Sequence, residues 1–507
     1  MKKIITIFAA IICVMHFSSC ENFLDVYPTN STKEEMLEIR TGSDADVMMN
    51  GIMREMTSGS YYGRNMMLYA DAKGGDFVIR SHGRGYDYLY TFAHSASTGS
   101  GSGYWSQIYY CLLQANNLLN GMDKAEAAGT VGEDLSIHRG RVLTLRALMH
   151  FDLVRIYGMP YTHPNGPSSW GVPIVTEPIG VYEKPLRSTV EQVYIQILKD
   201  IEDARVLLDN TSGKAKKNGY INYYGNRALL ARVKLYMGEY DDALAAAEEV
   251  MAGPYSLYSN DEWLDSWSTQ FGSESIFELG IFENEADLGT TSWGALLLRK
   301  GEVSSSVLGY FMASDYYLAR LYESENVGGA ANKDIRLDIM RYDETSTSRL
   351  GSCRKYVGNA RAGDKGKYSA VNIKVFRLSE IYLIAAEAAL LKSIPDLTKA
   401  ASYLQEIRDR APGLAPATSA TVSLDMILDE RSRELFMEGH RFFDMLRHQK
   451  SIEFNDEFID AGAVAPNNRP KIIQTDGANF FYKCILPIPK SEIDANPGIG
   501  EQQNPSY

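Results

Sequence analysis

Apolar residues recur three and four positions apart along much of the chain. Over 105–119 one stripe holds Ile108, Cys111, Leu112, Ala115, Leu118 and Leu119; over 141–157 another holds Leu145, Leu148, Met149, Leu153 and Ile156. An α-helix turns once in 3.6 residues, so each set falls on one face, and an apolar face must be covered by a neighbour. The same spacing predicts helices over 190–208, 228–251, 378–391, 398–410 and 424–448. Between them lie long stretches without that period, roughly 58–104, 158–187, 255–377 and 453–507. These hold most of the glycine and much of the tyrosine and tryptophan. Loops of such length in a compact protein are functional or disordered, and these are too aromatic for disorder.

Within 228–251 the run Leu235-Tyr236-Met237-Gly238-Glu239-Tyr240-Asp241-Asp242-Ala243 interrupts the helix. Gly238 permits a sharp turn, Tyr240 packs into the pair, and Ala243 lets the second helix approach closely. This layout is similar to a tetratricopeptide repeat. A second pair, 382–391 and 398–410, is laid out alike, with Pro395 and Asp396 opening its second helix. The helices at 105–119 and 141–157 can form a third. Stacked pairs are quasi-one-dimensional, which suits 507 residues better than one compact core.

The N-terminus has a different pattern. Lys2 and Lys3 precede an apolar run from Ile4 to Met15, broken only by Thr6, and Phe17-Ser18-Ser19-Cys20 follows. A basic start, an apolar middle and small residues before a cut site define a secretory leader. The run is shorter than the roughly 20 residues a bilayer requires. The cysteine resembles that of a bacterial lipobox, with Phe17 where leucine is preferred. Residues 1–19 are therefore expected to be removed and Cys20 to be lipidated, since several acyl chains on one residue make a stable anchor. Residues 21–30 then read as a tether.

Composition narrows the partners. The formal net charge is −13, and it becomes more negative once Lys2 and Lys3 leave. That excludes the basic footprint a nucleic-acid binder needs. Cys111, Cys353 and Cys484 are too widely spaced for a metal site; an oxidising compartment would allow one disulfide among them, and unpaired buried thiols are the expectation. No cofactor is expected. The Gly99-Ser100-Gly101-Ser102-Gly103 run lacks Gly-Lys-Ser/Thr and does not follow an apolar strand, so it reads as a flexible loop rather than a phosphate cradle. Tyrosine is the excess: 32 residues against 18 Phe and 5 Trp. A ring with a polar edge suits a ligand that is half apolar and half hydroxylated.

The order of several short segments resembles the SusD/RagB family of outer-membrane nutrient-binding lipoproteins. Asn22-Phe23-Leu24-Asp25 and Tyr27-Pro28-Thr29 are similar to the family's start. Trp105, Tyr109, Ala115 and Asn116 are similar to one of its helices. Arg146-Ala147, Tyr157-Gly158 and Gly171-Val172-Pro173-Ile174 follow. The most distinctive stretch runs from Glu430-Arg431-Ser432-Arg433-Glu434-Leu435 to Glu438-Gly439-His440-Arg441-Phe442-Phe443-Asp444-Met445. Leu486-Pro487-Ile488-Pro489-Lys490-Ser491-Glu492-Ile493 and Asn504-Pro505-Ser506-Tyr507 close it. The resemblance implies a mostly α fold over 20–507, a stack of four tetratricopeptide-like units with long irregular ligand-binding loops, the main one inserted at about 255–377. It implies anchorage on the outer face of the outer membrane and capture of oligosaccharide or polysaccharide without cleavage. It also implies a partner, a SusC-like TonB-dependent transporter over which the chain sits as a lid. Other members capture peptides, which is the alternative within the family; a lipoprotein glycosidase is the alternative outside it.

A sugar offers a C–H face to a ring and hydroxyls to hydrogen-bonding side chains. Arg84, Tyr86, Asp87 and Tyr88 have that composition, and Trp293 is a large aromatic in a small polar loop; these are the candidate binding residues. Trp105, and Trp263 with Trp267, read as packing, while Trp170 can face either core or partner. The acidic and basic residues of 430–444 can meet on a helix face as acid/base pairs, but the apolar residues among them favour an ion network that fixes the stack. A glycosidase would need two carboxylates about 5–5.5 Å apart across a sugar.

Overall fold

The computed structural model describes residues 38–507 except 81–84, 98–100, 181, 286, 287, 303, 304, 308, 343–348, 359–368 and 455–468. Helices dominate. In chain order the main ones are α1 (Gly42–Met56), α2 (Asn65–Lys73), α3 (Gly101–Ala128), α4 (Ser136–Tyr157), α5 (Val190–Leu208), α6 (Tyr223–Met237) and α7 (Tyr240–Met251). Then follow α8 (Asp315–Gly328), α9 (Leu378–Leu391), α10 (Leu397–Arg408), α11 (Leu424–Glu434) and α12 (Arg441–Arg447). Each helix from α3 to α7 packs on the next, α7 packs on α9, and α9 packs on α10 and α11. This is the mostly α, tetratricopeptide-like stack expected from the apolar spacing. No described helix is long and apolar enough to cross a membrane.

Local chemistry sets the helix ends. Thr189 and Gln192 form a reciprocal capping box at the start of α5: the Thr189 hydroxyl accepts from the Gln192 amide, and the Gln192 side chain accepts from the Thr189 amide. Both satisfy backbone N–H groups that a helix start leaves orphaned. Asp396 caps α10 through the Lys399 amide at 3.0 Å. Gly238 separates α6 from α7 at φ 76°, a left-handed conformation that a side chain disfavours. In the middle of the stack every residue of α4 from Gly140 to Tyr157 is buried, charged ones included. Arg146 holds Asp200 of α5 in a two-point contact of 2.8 and 2.7 Å, and Asp152 accepts from the Tyr61 and Tyr62 hydroxyls at 2.6 and 2.8 Å. Buried charge is tolerated only when paired in this way.

Three expectations change. The stripe over 424–448 is not one helix, because Met437 and Gly439 have φ 66° and 77° and break it between α11 and α12. The stretches 58–104 and 255–377 are less irregular than their sequence suggests. The first contains α2 and strand β1 (Phe77–Ile79); the second contains α8 and strands β2 (Ser275–Leu279), β3 (Phe311–Ala313), β4 (Met340–Tyr342), β5 (Leu350–Cys353) and β6 (Ile373–Arg377). The antiparallel pairs β1–β3, β2–β6 and β4–β5 are too short to show an alternating pattern, and β1, β2 and β3 are buried on both faces. Finally, Gly101 to Gly103 are the first residues of α3 rather than part of a loop.

The irregular region meets the stack around Phe436. Its ring stacks on Tyr317 of α8 at 3.9 Å and meets Phe77 of β1 edge-on at 4.9 Å, and Phe77 stacks on Trp293 at 5.9 Å. The broken segment between α11 and α12 is therefore where α8, strand β1 and the Trp293 loop come together on the stack.

Candidate functional site

Gly59-Ser60-Tyr61-Tyr62-Gly63-Arg64 makes a tight turn before α2. A Cβ on Gly63 would lie 2.1 Å from the Thr57 carbonyl oxygen, so the turn admits no side chain there. Leu288 lies over both glycines of this turn, and that contact draws the 288–297 segment onto it. Arg64 stitches the two segments together. Its Nε donates to Asn65 at 2.9 Å, and its Nη1 donates to the Thr291 carbonyl at 3.1 Å and the Tyr86 hydroxyl at 3.3 Å. The guanidinium carbon lies 5.0 Å from the centre of the Tyr86 ring. The two loop regions marked out by composition thus meet at one seam, through Tyr86 and Thr291.

The individual residues of those regions take different roles. Tyr86 is half-buried and packs edge-on against Tyr310 at 5.3 Å. Tyr88 is half-buried, and its ring makes no aromatic contact among the described residues. Asp87 is buried, and it accepts a hydrogen bond from the Tyr310 hydroxyl at 3.1 Å; it starts the short helix Asp87–Tyr90 and does not reach solvent. Arg84 and Cys20 lie outside the described residues.

Trp293 departs most from expectation. It is 1% exposed, and its indole Nε1 donates to the Met437 carbonyl at 2.7 Å. The adjoining cavity, lined by Gly63, Leu288, Trp293, Tyr356 and Val371 among others, has about 10 Å³ of free space. That is room for about one water molecule and none for a sugar ring. Trp293 therefore offers no stacking face; it pins the left-handed turn at Met437. The small polar residues around it in sequence reflect tight packing rather than exposure. Trp105, Trp263 and Trp267 are packing residues as expected, and Trp170 is 44% exposed.

Sequence reasoning missed Arg64. Its turn is rich in glycine and tyrosine, as 84–88 is, and that shared composition was the available signal. It also missed a larger concavity of about 290 Å³, lined by Ser268, Thr269, Gln270, Phe282, Gly358, Ala370, Val371 and Asn372. Val371 belongs to the walls of both this concavity and the small cavity beside Trp293.

The charged stretch 430–444 is an ion network. Glu430 pairs with Arg336 at 2.7 Å and Arg433 at 3.1 Å. Glu434 pairs with Arg377 at 2.7 Å and with Arg336 and Arg410 at 3.2 Å. Glu438 holds Lys355 and Arg377, both at 2.6 Å, and Asp444 holds Arg431 and Arg447 at 2.8 and 2.9 Å. Burial alone would raise the Glu434 carboxyl, but the guanidinium groups of Arg410, Arg377 and Arg336 hold it well below the usual carboxylate range. Each of these four carboxylates is buried and committed to cations. Cys111, Cys353 and Cys484 are buried free thiols.

The fold is a helical-repeat scaffold on which loops distant in sequence meet at one seam. The chain belongs to the SusD family. A solved SusD superfamily protein from Bacteroides thetaiotaomicron is 34% identical, with a TM-score of 0.79 over 92% of this chain and 100% of that one. The SusD family model matches residues 310–507, and the model described as "Starch-binding associating with outer membrane" matches residues 22–235. Among curated relatives, SusD-like protein P38 of Formosa agariphila is 23% identical over 89% of this chain and 92% of its own length. The starch-binding protein SusD of Bacteroides thetaiotaomicron is 28% identical over 35% of this chain and 29% of its own. A laminarin-binding SusD-like protein shares the fold, at 24% identity and a TM-score of 0.67 over 92% of this chain and 100% of that one.

Proposed function

We propose that this chain is a glycan-binding lipoprotein of the outer membrane, anchored at the cell surface through Cys20. In this reading it captures oligosaccharide or polysaccharide without cleaving it and delivers the ligand to a SusC-like TonB-dependent transporter. The observation that carries the reading is the seam at Arg64, where Tyr86 and the 288–291 segment meet beside an unstacked Tyr88. A tyrosine ring offers a face to sugar C–H groups, and the guanidinium beside it offers donors to hydroxyls. The family's description as starch-binding and outer-membrane-associated supports the ligand class and the location. The commitment of Glu430, Glu434, Glu438 and Asp444 to buried cations supports binding over hydrolysis.

Titration calorimetry of the mature chain with laminarin and soluble starch tests this. Binding is expected without release of reducing ends over hours. Tyr86→Ala should weaken it about tenfold, the worth of one ring contact of about 1.4 kcal/mol. Unchanged affinity in both Tyr86→Ala and Tyr88→Ala would place the site elsewhere. Accumulating reducing ends would make the chain a glycosidase, and affinity for peptides with none for glycans would make it a peptide receptor.

A further inference from the structure

Lys73 closes α2 with its side chain fully buried, and its ammonium has no carboxylate partner among the described residues. A buried cation is ordinarily paired, as Arg146, Arg336 and Arg377 are in this chain. Lys73 instead donates to the Lys483 carbonyl at 2.8 Å and lies 3.4 Å from His94 Nε2. The rings of Tyr69, Phe92 and Phe442 surround it, with centres 4.5, 4.8 and 4.9 Å away. Their negative faces favour the ammonium but supply no counter-charge.

His94 is also buried and completes the cluster. The Tyr507 hydroxyl donates to the Ile485 carbonyl at 2.8 Å, so toward His94 Nδ1, at 3.2 Å, it accepts. That selects the Nδ1–H tautomer and leaves Nε2 to accept from Lys73. Tyr69 donates to the Cys484 carbonyl at 2.7 Å. Three successive carbonyls, those of Lys483, Cys484 and Ile485, are thus each taken by a side chain of this cluster. Through them the 3₁₀ turn Tyr482–Cys484 rests on the end of α2. Phe92 reaches its place over Lys73 at a left-handed φ of 54°, a conformation that a bulky residue keeps only where its surroundings fix it.

The other titratable groups nearby do not compensate the charge. Tyr69, Cys484 and Tyr507 are neutral because burial raises all three, the Cys484 thiol to about 12. Tyr482 packs edge-on against Tyr507, and Lys483 brings a second ammonium. On α2, Asp71 is turned to the Gly439 amide. On α12, Arg441 donates to the Leu428 carbonyl and faces Asp76, and Asp444 is held by Arg431 and Arg447. Burial therefore pulls Lys73 down to about 7; burial and the neighbouring Lys73 ammonium hold His94 well below its ordinary range.

We propose that Lys73 and His94 form an acid-released latch: uncharged, they hold residues 482–485 and the Tyr507 ring against α2, and charged together they let that segment lift away. A protonated His94 can no longer accept from Lys73, and it sets two positive charges 3.4 Å apart in a dry site. Once lifted, both groups return to water and to their ordinary values of 10.5 and 6.5. The open form then binds protons more readily than the closed one. Acidification favours opening, through Lys73 between about pH 10 and pH 7 and through His94 below about pH 6.5. The neighbouring chain stays attached, since the Leu486 amide donates to the Ile156 carbonyl at 2.9 Å and Asn504 donates to the Tyr157 carbonyl at 2.8 Å. The latch is independent of which ligand the chain captures.

Cys484 reports the opening because it lies inside the latch, while Cys111 and Cys353, buried elsewhere, report opening of the whole fold. The mature chain, residues 20–507 with Cys20→Ser, is treated with a pyridyl disulfide at about pH 9, pH 7.5 and pH 5.5. Labelling of each thiol is read by peptide mass and divided by its rate in the urea-unfolded chain at the same pH. Relative to Cys111 and Cys353, Cys484 labelling is expected to rise about tenfold over the first interval and about tenfold again over the second. Lys73→Met, which keeps the apolar stem, should flatten the first rise, and His94→Gln, which keeps an acceptor, the second. A wild-type Cys484 profile that runs parallel to those of Cys111 and Cys353 overturns the latch, whether or not either variant folds. So does a wild-type rise that both variants retain.

Discussion

Trp293 and Met437 form a pair in which each explains the other. Met437 sits at φ 66°, where a side chain strains the backbone by roughly 1–2 kcal/mol. Its carbonyl accepts the Trp293 indole N–H, and two residues on, the Gly439 amide donates to Asp71 at 3.0 Å. Lys355 donates to the Glu434 and Phe436 carbonyls at 2.9 and 2.8 Å. The turn is held by side chains from distant parts of the chain. Trp293→Phe keeps most of the packing but leaves the Met437 carbonyl buried without its donor. It is expected to lower stability by about 1–3 kcal/mol, the desolvation cost of one unpaired buried group, with little effect on glycan affinity. Urea unfolding alongside titration calorimetry would check both halves. A loss of affinity larger than the loss of stability would return Trp293 to the binding surface.

Among the elements, Gly238 isolates what one backbone conformation is worth. A Cβ there would meet only Thr162 Cγ2 at 3.6 Å, an ordinary contact, so space is not the reason for glycine. The reason is the left-handed φ of 76° that turns α6 into α7. Gly238→Ala is thus expected to cost about 1–2 kcal/mol, read as a lower urea midpoint with an unchanged slope. This turn was legible in advance because glycine announces it. The break between α11 and α12 was not, because Met437 has no such signature and the hydrogen bonds that hold it come from residues 71, 293 and 355. Helices α5 and α9 matched their apolar stripes to the residue; one face of α5 is covered by neighbours in the stack, and α9 is enclosed by them. Helix α1 carries an equivalent stripe, Ala45, Met49, Ile52, Met53 and Met56, mostly in methionine, and it went unread. Composition marked out two loops that meet at Arg64, but it could not distinguish the buried Trp293 and Asp87 from the more accessible Tyr86. That difference depends on how the loops lie on one another. Arg64 acquires its place only from neighbours distant in sequence.

Across the whole molecule, one ion network ties the helical stack to the loops it carries. Glu434, at the end of α11, is reached by Arg377 from the end of β6, by Arg336 from the 3₁₀ turn Ile335–Ile339 and by Arg410 just beyond α10. Trp263 also donates to it at 3.2 Å. Removing this charge leaves three buried guanidinium groups with fewer counter-charges, Glu430, Glu438 and Glu274 among those that remain. Glu434→Gln is therefore expected to cost about 3–5 kcal/mol at pH 7. The pH dependence separates this electrostatic role from packing. The three guanidinium groups hold the folded Glu434 carboxyl well below its ordinary value of 4.5, so the unfolded chain binds the proton first as pH falls. The stabilisation from ionised Glu434 is then fully present above about pH 4.5 and declines below it, by about 1.4 kcal/mol per pH unit for one group. Glu434→Gln lacks this slope, while carboxylates that share no arginine with Glu434 contribute alike to both proteins. The stability gap between wild type and Glu434→Gln, measured by urea unfolding from pH 7 to pH 3, should stay level down to about pH 5 and narrow below it. A gap that stays constant to pH 3 would mean that Glu434 acts through shape and hydrogen bonding alone, and that the loops are joined to the stack by packing rather than by charge.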